Sequence, residues 1–167
     1  GVWNYFTNYS TTANNIHIQN PAGGGGVFMS PGDTAWRSMS DKSLKSNEKV
    51  INNGLDVIMK LKPLFYDRSS KLCNVDYKDN VENLDDLQIK YYKESGFIAQ
   101  EIYEIDELKH IVGVGDDDNY WSILYQQIIP YNTAAIQQLK KEKDELQNKV
   151  TELENQLNLI KQHLNLT

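Results

Sequence analysis

Ser40 and Lys45 are the two residues whose types and spacing could do covalent chemistry. A serine hydroxyl is a poor nucleophile until a base takes its proton, and a lysine amine can be that base once desolvation draws its pKa toward neutrality. The pair could then open a peptide bond, provided that the lysine is held out of water. On a regular helix a five-residue separation sets two side chains about 140° apart. Ser40 and Lys45 therefore meet only if Ser40 lies in a loop or extended lead-in before a helix. The plainer use of the same residues is structural, with Ser40 or Ser43 as a helix N-cap and Lys45 solvated. On pattern alone the capping use is the commoner one.

Other chemistries lack their residues. There is no Gly-rich phosphate loop, no paired-histidine motif and no Ser/His/Asp signature. The single Cys73 rules out an internal disulfide, and His17, His110 and His163 are too scattered to form a zinc site. The run Asp116-Asp117-Asp118 lacks the glycine and terminal glutamate of a calcium loop. We expect neither metal nor cofactor. A net charge of -6 argues against a partner gripped through its phosphate backbone, so nucleic acid is not expected. No run of 18 apolar residues occurs, so no membrane-spanning helix is expected either.

The elements that must position the pair follow from periodicity. At the C-terminal end Ile136, Leu139, Lys143, Leu146, Val150, Leu153, Leu157, Ile160 and Leu164 alternate spacings of three and four, and eight of these nine are apolar. With Lys140, Glu142, Lys149, Glu154 and Lys161 on the flanks, that is a coiled-coil seam. No second heptad segment exists in the chain to cover it, so the expected partner is another copy. The seam residues do not decide between two strands and three. The alternative is a single amphipathic helix folded back on its own globular part.

Ahead of the seam, Val50, Ile51, Leu55, Ile58, Met59 and Leu61 predict one short helix, interrupted at Gly54 and stopped by Pro63. Leu64-Phe65-Tyr66 suits a strand, 67–95 a long polar excursion, and Gln100 to Leu108 a helix. Ile111-Val112-Gly113-Val114 suits another strand, after which Tyr120-Trp121 opens the long helix. Pro130 then either kinks that helix or marks its true start near Tyr131. Charge shifts along this stretch, from eight basic and five acidic residues over 33–71 to four basic and thirteen acidic over 74–118. Residues 1–39 read as short strands and turns, with Trp3, Tyr5, Phe6 and Tyr9, the alternation Asn15-Ile16-His17-Ile18, Pro21 and the glycines Gly23 to Gly26. They are expected to be the end of a longer β-rich structure. The fold class is α+β, with strands outnumbered by helices. The expected division is 1–39 as the upstream portion, 40–121 as a globular domain and 122–167 as the long helix and coiled coil.

Three motifs in this order carry a resemblance. Ser40-Asp41-Lys42-Ser43-Leu44-Lys45 reads S-D-x-x-L-K, and Gly96-Phe97-Ile98-Ala99-Gln100-Glu101-Ile102 comes second, separated from it by an apolar helix and a Lys-Pro-x-x-Tyr strand at Lys62 to Tyr66. Together with the closing helix from Leu124 to Leu139, they resemble the intramolecular chaperone domains of phage tailspikes and tail fibres, the self-cleaving endosialidase C-terminal type of the S74 peptidases. The resemblance covers roughly residues 38 to 165. It departs from the family in having no proline within Glu104-Ile105-Asp106-Glu107-Leu108, and in its 67–95 excursion.

The resemblance implies a domain that holds three copies of a fibre protein in register and then cuts itself off the folded product. The cut would fall at Met39-Ser40, with Ser40 as nucleophile and Lys45 as base and later proton donor to the leaving amine. Asp41 would position or cap, and Leu44 would pack. Gly96, Gln100 and Glu101 belong to the second motif without a catalytic role. The partners implied are a homotrimer and the upstream fibre or spike portion of the same chain. The setting implied is the host cytoplasm during virion assembly, with the parent fibre in the virion tail. The rival readings are a trimerisation tip that is never cut and a hydrolase of other proteins, which would need an open groove.

Overall fold

The computed structural model describes residues 16–19, 26–69, 90–116 and 119–164. Cys73, the aromatic cluster Trp3 to Tyr9, Asp117, Asp118 and most of the 67–95 excursion lie outside them. The chain divides into two units, residues 1–50 and 51–167.

In the first unit a small antiparallel sheet has the order β1-β2-β3, with β1 at Ile16–Gln19, β2 at Gly26–Met29 and β3 at Arg37–Ser38. The register pairs Ile16 with Met29 and Gln19 with Gly26 on one side of β2, and Phe28 with Arg37 and Val27 with Ser38 on the other. The expected strands are present where residues 16–39 are described. β2 leads into a turn at Ser30-Pro31-Gly32-Asp33, closed by the Asp33 N–H on the Ser30 carbonyl at 3.0 Å. Proline second and Gly32 third, at φ +89°, suit a type II turn, because the third position needs the left-handed backbone that glycine adopts without strain. Past β3 the chain runs extended through Asp41 into a single 3-10 turn, Lys42–Leu44.

The second unit carries the apolar core. α1, Gly54–Lys60, is followed by β4, Leu64–Arg68, which pairs antiparallel with β5, Tyr92–Gly96, in a register that sets Leu64 opposite Gly96. α2, Ala99–Tyr103, a 3-10 segment at Asp106–Ile111 and the two-residue ladder of β6, Val112–Gly113, with β7, Ser122–Ile123, come next. A 3-10 turn at Tyr125–Ile128 then opens into α3, Ile129–His163. Val57, Ile102, Leu108, Ile111 and Ile128 form the buried cluster. The fold is mixed, and among the described residues of 40–121 the four helical segments outnumber the three strands β4, β5 and β6, as expected for the globular part. Each strand is only two to five residues long, so helix carries more of the chain.

Two local expectations need correction. Gly54 does not interrupt α1 but begins it, and Val50 lies outside the helix and is 83% exposed. A Cβ at Gly54 would sit 2.6 Å from the Ala134 Cβ and 2.7 Å from the Ala135 backbone nitrogen, so glycine is what lets α1 approach α3 this closely. Tyr120-Trp121 does not open the long helix. The second option for Pro130 holds: it stands in the first turn of α3, where its missing N–H has no helical partner to lose.

Among the described residues the long helix does not fold back on the globular part beyond its first turns. α3 packs against α1 through its first turns, where Ala135 is buried. Beyond them Ile136, Leu139, Leu146, Val150, Leu153, Leu157, Ile160 and Leu164 are all between 46% and 67% exposed. Among the described residues nothing covers the apolar seam.

Candidate functional site

The lead-in that Ser40 requires is present. Asp41 is extended, at φ -66° and ψ 144°, and so is Lys45, at φ -128° and ψ 140°, with one tight turn between them. That turn is closed by Leu44 N–H on the Asp41 carbonyl at 3.1 Å and Lys45 N–H on the Lys42 carbonyl at 3.0 Å. It reverses the chain within three residues and brings Lys45 Nζ to 2.6 Å from Ser40 Oγ, donating a hydrogen bond. Asn47 follows at φ 55°, a left-handed position that asparagine tolerates better than most residues.

Asp41 holds the turn together. Its Oδ1 accepts from the Ser43 N–H at 2.8 Å and from the Ser43 hydroxyl at 2.5 Å. These bonds, with the nearby Lys45 charge, keep the Asp41 carboxyl below its ordinary range. Ser43 is thus capped by Asp41, and neither Ser40 nor Ser43 caps the turn. Leu44, expected to pack, is 63% exposed and is not covered by the described residues. Ser40 and Lys45 are exposed as well. Among the described residues nothing supplies the desolvation that a basic lysine needs.

Met39, on the other side of the bond expected to be cut, directly follows β3 and is 45% exposed. A tie that sequence reasoning missed lies just upstream. Asp33 Oδ2 accepts from Arg37 Nε at 2.7 Å and from the Ser30 N–H at 2.8 Å, and Asp33 Oδ1 accepts from Arg37 Nη2 at 2.5 Å. Ser-Pro-Gly-Asp was a readable turn signal. The four-residue reach to Arg37 became meaningful only once β3 was placed.

The second motif has a structural account. At the end of β5, a Cβ on Gly96 would come within 2.5 Å of the Tyr125 hydroxyl and 2.9 Å of the Tyr66 hydroxyl. These two tyrosines hydrogen-bond to each other, and burial pushes Tyr66 above its ordinary pKa. Tyr125 also accepts from the Phe97 N–H at 3.1 Å. Ala99 and Ile102 enter the core. Gln100 and Glu101 are exposed, and Glu101 pairs at 3.5 Å with Lys62, the first residue of the Lys-Pro-x-x-Tyr strand. That strand and the second motif are thus joined at Lys62–Glu101 and at Tyr66–Gly96.

A second hub ties α1, the 3-10 segment and α3 together at Glu107. Lys60 Nζ donates to both of its carboxylate oxygens, at 2.9 and 3.0 Å, and Tyr131 donates to its backbone carbonyl at 2.9 Å. Among the described residues no three His, Cys, Asp or Glu side chains are grouped to hold a metal.

No curated protein matched the chain. A family model, Peptidase_S74, described as chaperone of endosialidase, matches residues 40–112, somewhat less than half of the chain. The match begins at Ser40 and takes in Lys45, the Lys62 to Tyr66 strand and the Gly96 motif, ending at Val112 just after the buried Ile111. The segment 40–112 is thus similar to the chaperone-of-endosialidase family.

Proposed function

We propose that this chain is an intramolecular chaperone that brings three copies of a phage fibre or spike into register and then releases itself by cutting Met39-Ser40. The observation that carries the reading is the 2.6 Å contact of Lys45 Nζ with Ser40 Oγ, at the very start of a segment similar to the chaperone family. As drawn, the ammonium donates. Once Lys45 has lost its proton, the same contact lets Nζ accept the hydroxyl proton.

Ser40 Oγ then bonds to the Met39 carbonyl carbon while its proton passes to Lys45. The intermediate collapses by breaking the Met39–Ser40 C–N bond, and Lys45 returns the proton to the departing Ser40 amine. Met39 is left esterified on Ser40 Oγ, and water hydrolyses that ester to a Met39 carboxylate and a free Ser40 hydroxyl. The reaction uses one water and needs no cofactor.

Trimerisation is supported by the open seam from Ile136 to Leu164, which only another helix can cover. Strands of a trimeric fibre must be aligned before they can pair, and non-local pairing is slow and prone to aggregation. Three joined C-termini raise the local concentration of the chains. In this reading the neighbouring copies also supply the desolvation that Lys45 lacks in one chain, so that cutting follows assembly.

The test is the intact mass and oligomeric state of the freshly expressed chain beside Ser40→Ala and Lys45→Ala. Wild type is expected as a trimer yielding a fragment that begins at Ser40, with both variants whole at 19.2 kDa. A wild-type trimer that stays whole would make the domain a permanent trimerisation tip.

A further inference from the structure

β3 is two residues long, lies at the edge of its sheet and is exposed throughout. Two register pairs with β2 give a strand this short little independent stability, since fixing each backbone residue costs on the order of 1–2 kcal/mol in entropy. Yet β3 sets the position of the acyl side of Met39-Ser40, because the chain leaves it at Ser38 and Met39 comes next. Something besides the ladder must hold it.

Asp33 does so from the opposite end of the loop. One oxygen reaches back to the Ser30 N–H at the base of the type II turn, and both oxygens grip the Arg37 guanidinium in a two-point fork. A fork fixes orientation as well as distance, which a single contact does not. The hydrogen bonds from Arg37 and from the Ser30 N–H, with the Arg37 charge, hold the Asp33 carboxyl below its ordinary range. Arg37 is three residues from Ser40, at most about 10 Å of chain, so an error at Arg37 passes almost undamped to the carbonyl that Ser40 must attack.

We propose that Asp33 and Arg37 are positioning residues for the self-cleavage, fixing the acyl side of the Met39–Ser40 bond as Asp41 fixes the side that carries Ser40 and Lys45. The proposal rests on the reading above that this bond is cut. Neither residue touches the reacting atoms. They act by narrowing the backbone conformations from which Oγ meets the carbonyl carbon, and a displacement of about 1 Å in such a geometry can cost on the order of 100-fold in rate.

The experiment follows the self-cleavage rate of the full chain from intact mass over time, with trimer content and thermal midpoint measured on the same samples. It compares wild type with Asp33→Asn, Arg37→Lys and the exchanged pair Asp33→Arg with Arg37→Asp. Expected are a 10- to 100-fold slowing in Asp33→Asn, a smaller slowing in Arg37→Lys, which keeps one contact, and recovery toward wild type in the exchanged pair. Trimer content and midpoint are expected to stay at wild-type values, because the fork lies outside the core of the second unit. Wild-type rates in both single variants overturn the proposal. So does slowing that tracks a lowered midpoint and is not recovered by the exchange, since the fork would then only stabilise. A wild-type chain that is never cut overturns the reading of the function, and this proposal with it.

Discussion

The two units of this chain are held by different forces. Among its described residues the first unit buries no side chain fully, and its geometry comes from carboxylates: Asp33 on Ser30 and Arg37, and Asp41 on Ser43. The second unit is built around Val57, Ile102, Leu108, Ile111 and Ile128, and its ion pairs lie on the outside. Apolar burial is strong but non-directional, whereas hydrogen bonds to charged groups are directional and modest in net energy. The difference suits the proposed roles. A chaperone domain must persist as a folded body, while a bond that is to be cut once needs its atoms aimed rather than buried.

The largest effect expected from this contrast is in the core. Leu108 is fully buried, and Leu108→Ala is expected to cost about 2–5 kcal/mol of unfolding free energy. Val27→Ala in the first unit removes two methyl groups from a partly buried site and is expected to cost about 1 kcal/mol. Denaturant titration of the two variants checks this, and equal costs would erase the distinction between the units.

A smaller effect sharpens how the core is closed. Gly54→Ala places a methyl against the Ala134 side chain and the backbone of Tyr131 and Ala135, and backbone cannot swing aside. A loss of about 1–3 kcal/mol is expected, although alanine is the better helix former in the open. A stabilised variant in the same titration would mean that α1 does not approach α3 this closely.

The smallest effect is with pH. Asp33, Asp41 and Glu107 all have carboxyl groups held below their ordinary range by the hydrogen bonds they accept. A carboxyl whose folded pKa is depressed adds stability that is fully present above its unfolded value, near 4, and is lost as pH falls through the folded value. As pH falls below about 4 the first unit should loosen, having little else to hold it, while the core of the second persists. Amide exchange reads this directly. The Ser30 and Ser43 N–H groups, bonded to Asp33 and Asp41, should lose protection before the Ile102 N–H, which is bonded to the Ile98 carbonyl.

Much of this was legible in the residues. The heptad from Ile136 to Leu164 marked a helix with an unpaired face, because a period of 3.5 is a local property that no tertiary contact needs to complete. The strand at Leu64 followed from composition after Pro63, and the five-residue separation of Ser40 and Lys45 allowed them to meet only with Ser40 in a loop or extended lead-in, whereas the tight turn between them came from the structure. What it means that Gly54 begins a helix, that Gly96 leaves room for the Tyr66 and Tyr125 hydroxyls, and that Asp33 reaches Arg37 was decided only by the tertiary structure. A glycine is written identically whether it breaks a helix or admits a neighbour, and a charge identically whether it is solvated or forked. The deciding partners of Gly54 and Gly96 lie up to some 80 residues along the chain, and the Asp33 fork waits on the pairing of β3 with β2. Local periodicity determined which elements form and which face of the long helix is apolar, and packing decided what each small or charged residue among them is for.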